Sequence, residues 1–371
     1  MARIYLSEIL DEVLGVPKNI IETADKVYDG VVKTLLKFKD TPLLDREGIN
    51  FVLRDPEGYD ISDYSVKQVN ISINAQLTER DEIEMMSMGF SFKTDIQEPS
   101  YKVYKVNVGD YVNLSINLAV PGHFTWGNVI NFFQGPQKAN LVSSLAHELK
   151  HSYDKFKKQT YSSSSIINYK VINDLMVAAP GIGEFMFFKY FTDVVEGLVR
   201  PVEIAAYLKQ RNATKKDFLD IIKETEVYKN AKKAQAFTYE GMINEMVSDP
   251  RMVPSIDSLF QREGVNVSGL SDTEKVEKFL ELHFERLKDH SKQLYKMELH
   301  RNDPLMRHFI MLGVSTGELD AEKGKAMKDF SKEIERYSGQ DYKKFYKREI
   351  AKINFAADKI IRKIAKLYDY I

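Results

Sequence analysis

The chain has no cysteine among its 371 residues. This absence excludes a disulfide scaffold, a thiolate nucleophile and any zinc site built on cysteine sulfur. A metal site in this protein would therefore need histidine, aspartate or glutamate as ligands. The lack of cysteine also fits a reducing compartment, where disulfides rarely persist.

The chain also lacks an excess of charge of either sign, because 53 basic side chains balance 54 acidic ones and the net charge is −1. Proteins that hold a nucleic-acid backbone or an anionic bilayer usually carry a clear basic surplus. We therefore expect neither a nucleic acid nor a membrane as a partner.

Long apolar runs are missing as well. No stretch approaches the roughly 18 apolar residues that a membrane-spanning helix needs, and the richest one, residues 185–191, is interrupted by Lys189. Near Met1, the acidic residues Glu8 and Asp11 precede any apolar run, which does not match a secretory signal. We expect a soluble protein that is located in the cytoplasm.

The sequence begins with a helical pattern, continues with strands and ends with a long helical remainder. Apolar residues recur at helical spacing within residues 1–40. Residues 69–74 alternate between apolar and polar side chains, and residues 103–108 and 112–120 repeat this alternation around Gly109-Asp110. Alternation on both sides of a short Gly-Asp connection predicts a β-hairpin.

This order predicts an α+β fold in which a mostly antiparallel sheet precedes the helices. We divide the chain into three predicted segments. These are an N-terminal helix plus β-sheet region at 1–135, a helical catalytic region at 136–260 and a helical C-terminal region at 261–371.

The strongest chemical signal is the motif H-E-x-x-H, formed by His147, Glu148 and His151. Residues four apart project from the same face of a helix, about 6 Å apart along its axis, so two imidazoles can bind one metal ion. Glu148 lies beside that face, where a general base can take a proton from water. Asp154, one turn further on, is either a hydrogen-bond partner of an imidazole N–H or a solvated side chain.

A catalytic zinc site normally has three protein ligands. The metzincin pattern fails here, because Asp154 and Lys157 stand where it requires glycine and histidine. We therefore expect a carboxylate on a later helix and favour Glu203, because Pro201 suits a first helical turn and the neighbouring alanines allow close packing. Three other acidic residues remain alternatives: Glu184, Asp193 and Glu196.

The two motifs together resemble a known family. H-E-L-K-H followed by a separate E-x-x-A helix is similar to the gluzincin branch of the zincin metallopeptidases. The chain also resembles small metallopeptidase-like proteins encoded by bacteriophages, in which H-E-L-x-H-x-Y-D precedes R-P-x-E-x-x-A-Y. The resemblance covers roughly residues 100–210. It implies a zincin-like fold, a Zn²⁺ cofactor and a location in the host cytoplasm or the virion, with the site residues His147, His151, Glu203 and Glu148.

The predicted reaction is hydrolysis of a peptide bond, with a protein or peptide as substrate and Glu148 as the base. A donor to the oxyanion is also needed, and the candidates are Tyr207, which we favour, Tyr153 and His123. We expect residues 112–120 to form an edge strand that pairs with the substrate.

Two other functions remain open. One is a catalytically silent binding or structural protein, such as a virion component. The other is a toxin or processing enzyme with a single protein target. The sequence does not fix the oligomeric state.

Overall fold

A computed structural model describes residues 19–45, 48–61, 64–92, 112–135, 137–158, 176, 179–291 and 342–368. The predicted strand at 103–108 and its turn lie outside these residues. The chain forms two compact units. The first comprises Met1–Tyr161, Leu198–Tyr228 and Arg362–Ile371, and the second comprises Ser162–Gly197 and Lys229–Ile361.

The described residues form an α+β structure, as the sequence predicts. The strands are β1 (Gly48–Ile61), β2 (Tyr64–Thr78), β3 (Glu84–Phe92) and β4 (Val112–Pro121). The helices are α1 (Asn19–Leu35), α2 (Trp126–Gln134), α3 (Lys138–Lys158), α4 (Pro180–Phe191), α5 (Val194–Gln210), α6 (Phe218–Glu224), α7 (Glu226–Ala236), α8 (Tyr239–Ser248), α9 (Met252–Glu263), α10 (Asp272–Ser291) and α11 (Tyr342–Tyr368). A short 3-10 helix, Leu36–Phe38, extends α1.

The sheet is mixed, in the order β1-β2-β4-β3. β1 pairs antiparallel with β2, and β3 pairs antiparallel with β4, but β2 and β4 run parallel. β3 follows β2 in the chain but does not pair with it, because β4 inserts between the two. The prediction that residues 112–120 form an edge strand is therefore wrong, since β4 is hydrogen-bonded on both sides. Among the strands that the structure describes, β1 and β3 lie at the edges of the sheet.

Alternating side chains give the sheet one apolar face, which helices cover. Val69, Ile71 and Ile73 of β2 are buried, and so are Leu114 and Ile116 of β4. This face shares one hydrophobic core with α1, α2, α3 and the middle of α5. Burial of this alternating apolar set fixes which face of each strand points inward, because a one-residue shift would expose the whole set.

Three hydrogen bonds connect helices within the first unit. The Tyr28 hydroxyl of α1 donates to the carbonyl oxygen of Phe133 in α2 at 2.8 Å. Asp25 of α1 accepts a hydrogen bond from Lys209 at 2.9 Å and another from Gln210, both near the end of α5. The Asp25 contacts hold α5 against the helix that also packs on α3.

Helix α5 begins at Val194, which places Pro201 inside the helix and not in its first turn as we predicted. A proline at an interior position removes one backbone hydrogen bond and is usually unfavourable. Val199 and Val202 on either side of it are fully buried. The packing of these two valines offsets the free-energy cost of the lost hydrogen bond. A sequence pattern does not show that they are buried.

The second unit is a bundle of helices around its own core. Large aromatic side chains fill this core, including Phe185, Phe260, Phe279 and Tyr346. Gly181 allows α4 and α8 to approach closely, because an added Cβ would collide with the backbone carbonyl of Met242. Within the described part of the chain, no helix has the length and apolarity needed to span a bilayer.

A buried ion pair lies within the second unit. Glu349 is only 5% exposed, and it accepts hydrogen bonds from Lys189 and Lys352. Burial would raise the pKa of Glu349, but the two lysines outweigh this effect and hold the pKa below its ordinary value of 4.5. A depressed pKa means that the pair stabilises the folded state above about pH 4.5 and that this contribution is lost as the pH falls through the folded-state pKa.

We expect Glu349→Gln to lower the free energy of unfolding by about 1–3 kcal/mol at pH 7, because a buried acceptor loses its charge. The difference from the parent protein should shrink below about pH 4.5. Urea denaturation at pH 7 and pH 4 measures both effects. Glu240→Gln is the matched control, since Glu240 pairs with Lys347 on the surface at 2.8 Å and its loss should leave the stability unchanged. Equal effects of the two substitutions would contradict the role of burial.

Candidate metal centre

Helix α3 carries the H-E-x-x-H motif and is also a core helix. Leu141, Val142, Leu145 and Leu149 are buried against the sheet and α1. His147 is only 7% exposed, whereas Glu148 and His151 are half-buried. The apolar stripe fixes the rotation of the helix, and this rotation determines where the two histidines point.

The two histidines converge, as their spacing predicts. Nε2 of His147 lies 3.0 Å from Nε2 of His151, and the rings meet edge to face with their centroids 4.7 Å apart. Two nitrogens that share one tetrahedral Zn²⁺ at about 2.0–2.1 Å each lie about 3.3–3.4 Å apart. The observed separation is close to this value, so a small opening of the pair would accommodate one ion.

The other ring nitrogen of His147 is held by a carboxylate. Nδ1 of His147 lies 3.0 Å from Oε2 of Glu203 on α5. The same oxygen accepts a hydrogen bond from Nη1 of Arg200, also at 3.0 Å. Burial would raise the pKa of Glu203, but the His147 hydrogen bond and the Arg200 charge outweigh it, and the pKa lies below its ordinary value. Glu203 is therefore an ionised acceptor.

An ionised Glu203 determines which nitrogen of His147 carries the proton. An N–H at Nδ1 donates to the carboxylate, and in the neutral ring this leaves a lone pair on Nε2. That lone pair points at Nε2 of His151. The 3.0 Å separation fits an N–H···N hydrogen bond when His151 carries its proton on Nε2, and it suits a shared metal cation when both nitrogens present lone pairs.

A third group that can bind a metal comes from the same helix as Glu203. The ligand atoms of His147, His151 and Glu196 all lie within 4.8 Å of one another. Glu196 is only 3% exposed. It precedes Glu203 by seven residues on the continuous helix α5, which is two turns, so both carboxylates lie on the same face.

The placement of the two glutamates differs from our expectation. We favoured Glu203 as the third ligand, but its carboxylate contacts Nδ1 of His147, on the side of the ring away from His151. Glu196, which we kept as an alternative, joins the group that can hold a metal. Among the described residues, that group does not include Glu184 or Asp193. Burial and the nearby Glu245 raise the pKa of Glu184, which lies on α4.

Of the three residues considered as oxyanion donors, the structure describes the side chains of Tyr207 and His123. Tyr207 is buried, and its hydroxyl accepts a hydrogen bond from Nη1 of Arg211 at 3.1 Å. His123 is exposed and packs edge-on against Phe124. The side chains of Tyr153 and Asp154 lie outside the described residues. The sequence analysis missed Arg200, although an arginine three residues before a glutamate on a helix is a recognisable pairing signal.

Comparisons of the chain with protein-family models, with curated proteins and with solved structures found no match. The donor set of two imidazoles and one carboxylate can hold a metal ion. Such a set suits Zn²⁺ and other borderline divalent cations. A carboxylate that contacts the other ring nitrogen of a ligating histidine, as Glu203 contacts Nδ1 of His147, orients that imidazole.

We predict that the protein binds one divalent metal ion and that His147→Ala and His151→Ala abolish this binding. Glu196→Gln should weaken it strongly, because a charged ligand is lost. Glu203→Ala should weaken it by about 10- to 100-fold, as expected for a residue that orients a ligand. Isothermal titration with Zn²⁺ measures each variant.

His123→Ala is the control for this series, because it removes an exposed histidine from the same unit. Two results would contradict the assignment. One is full affinity in Glu196→Gln together with complete loss in Glu203→Ala, which would make Glu203 the ligand. The other is equal weakening by His123→Ala.

Proposed function

We propose that this protein is a zinc-dependent peptidase of the zincin type. The observation that carries the proposal is the 3.0 Å approach of the two Nε2 atoms on a buried helix, with the opposite nitrogen of His147 fixed by Glu203. The motif glutamate, Glu148, stands next to His147 on the same helix. This combination supplies two ligand nitrogens, a carboxylate ligand in Glu196 and a separate carboxylate that can act as a base.

A zinc ion at this site would be held by His147, His151 and Glu196. When bound, it lowers the pKa of a coordinated water and polarises a carbonyl group. No cysteine is available to the site, and a set of nitrogen and oxygen ligands is typical of catalytic zinc sites. Glu203 and Arg200 would orient His147 without touching the ion.

Glu148 would carry the proton transfers of the reaction. Its carboxylate takes a proton from the attacking water and later gives it to the amine that leaves. Positioned bases of this kind typically contribute about 10²- to 10⁴-fold to the rate. Tyr207 as a donor to the oxyanion stays a prediction, and its hydroxyl keeps its own proton to donate while it accepts from Arg211.

An extended peptide substrate would pair with the edge of the sheet nearest to α3. Among the described strands, β3 lies at an edge of the sheet and packs against α3. Strand addition uses backbone hydrogen bonds and therefore tolerates different side chains in the substrate. We therefore propose β3 as the pairing strand, because β4 is hydrogen-bonded to a strand on each side.

The test is Glu148→Gln in the zinc-loaded protein, assayed on a peptide library with mass-spectrometric detection of the products. We expect the variant to bind zinc as the parent does and to lose at least about 100-fold in kcat/KM. Glu22→Gln is the control, because it removes an exposed glutamate of the same unit. Its activity should equal that of the parent.

Activity that survives Glu148→Gln would overturn the mechanism. A parent protein that binds zinc but cleaves no peptide would instead support a catalytically silent binding or structural protein. Cleavage of one protein target alone, with no cleavage of the library, would identify a processing enzyme or toxin with the same chemistry.

A further inference from the structure

The outward face of the sheet carries neutral polar side chains in its central strands. β2 and β4 bury every second residue, and the residues between them are half-buried amides and hydroxyls. On β2 these are Gln68, Asn70, Ser72 and Asn74, and on β4 they are Asn113, Ser115 and Asn117. The outward face of a sheet is normally polar, and on these two strands the half-buried side chains are neutral.

The amides on this face form cross-strand pairs. Asn70 lies directly beside Asn113, and its Nδ2 donates to Oδ1 of Asn113 at 2.9 Å. The neighbouring Gln68 donates to Oδ1 of Asn70 at 2.7 Å. These bonds fix the direction in which each amide points, so the face is an ordered array and not a set of mobile side chains.

A shallow cleft of about 370 Å³ lies on this array. It crosses β1, β2 and β4, and the residues that line it are Asn50, Phe51, Val52, Asn70, Ile71, Ser72, Asn113, Leu114 and Ser115. Phe51, Ile71 and Leu114 pack their side chains into the core, so they contribute backbone to the floor. The volume is at the lower end of the range for small-molecule sites, about 300–1,000 Å³.

The hydrogen bonds described for the cleft leave capacity for a ligand. An asparagine amide offers two N–H donors and two acceptor lone pairs. After the bonds above, Asn113 retains both of its donors and Asn70 retains one donor and one lone pair. Ser115 adds a hydroxyl that both donates and accepts, and Ser72, whose hydroxyl donates to Oδ1 of Asn74 at 3.4 Å, adds acceptor lone pairs. The cleft therefore presents a few neutral donors and acceptors on a lining that is mainly apolar.

This chemistry selects the class of ligand. None of the nine lining residues is ionised, and Arg54 of β1, which is not one of them, donates from Nε to Oε1 of Gln68 at 3.4 Å. The lining itself therefore offers no cation to phosphate or sulfate and no carboxylate to a metal. Sugar hydroxyls both donate and accept, which matches amides and hydroxyls of the same dual character. Val52, 46% exposed at the rim, provides an apolar contact for the C–H face of a sugar ring.

We propose that this cleft binds a neutral saccharide of one to three units. The helices that carry the candidate metal centre pack on the opposite face of the sheet. The cleft is therefore a separate site, and the proposal does not depend on the proposed peptidase function.

The test is NMR titration of the full chain with maltotriose and with the trimer of N-acetylglucosamine. We expect side-chain amide signals of Asn70 and Asn113 to shift with at least one of these probes. Asn70→Ala and Asn113→Ala should each weaken binding about three- to tenfold, the range expected from the loss of one or two hydrogen bonds. Val52→Asp changes an exposed side chain and should abolish binding without affecting the fold.

Asn117→Ala is the matched control. Asn117 accepts from Nδ2 of Asn74 at 2.9 Å in the same kind of amide pair on the same strands, and it does not line the cleft. Asn74 itself is unsuitable, because its Oδ1 accepts from the cleft residue Ser72. Asn117→Ala should lose as much stability as Asn113→Ala and retain the binding. Equal loss of binding in Asn117→Ala would show that the effect comes from sheet stability and would overturn the proposal.

Two further outcomes would also overturn it. One is the absence of amide shifts with either probe. The other is tighter binding of an Asn- and Ser-rich peptide, or of a sulfated saccharide, at the same residues. Those results would assign the face to a protein partner or to an anion.

Discussion

The arrangement at the candidate centre depends on one hydrogen bond, from Nδ1 of His147 to the carboxylate of Glu203. Burying an ionised carboxylate is costly unless charged or hydrogen-bonding groups compensate it. His147 and Arg200 provide this compensation at 3.0 Å each. In return, the carboxylate holds the imidazole in one orientation and directs its second nitrogen toward His151.

The rest of the first unit keeps these two partners in place. His147 belongs to a helix whose apolar stripe is packed on the sheet, and Glu203 belongs to a helix that buries Val202, Ala205 and Ala206 in the same core. Ala205 and Ala206 are fully buried in this core, so the short polar contact between the two helices and the apolar packing support each other. The site is therefore built on rigid elements, which is the usual requirement for a preorganised metal centre.

Part of this arrangement was predictable from the sequence. The α+β order and the convergence of His147 and His151 follow from periodicity, because residues four apart on a helix share a face whatever surrounds them. The parallel pairing of β2 and β4 did not follow, since alternation looks the same in parallel and antiparallel strands. The start of α5 was also misjudged, because burial of its valines outweighs the local effects of Gly197 and Pro201.

The choice between Glu196 and Glu203 shows a limit of a different kind. Both glutamates lie on one face of one helix. The sequence does not indicate which of them lies level with His147 along the helix axis. Only tertiary packing determines that Glu203 meets Nδ1 and that Glu196 joins the ligand group. The Arg200 partner follows from the same packing, although its spacing from Glu203 was visible in the sequence.

If Glu203 orients the metal centre, His147 donates from Nδ1 to Glu203 and presents Nε2, together with His151, to a metal ion. Long-range ¹H–¹⁵N NMR of the histidine rings, before and after one equivalent of Zn²⁺, measures both features. We expect a protonated Nδ1 on His147 in both states and a zinc-induced shift of Nε2 in both rings. A proton on Nε2 of His147 in the zinc-bound state, or ring signals that zinc does not change, would contradict it.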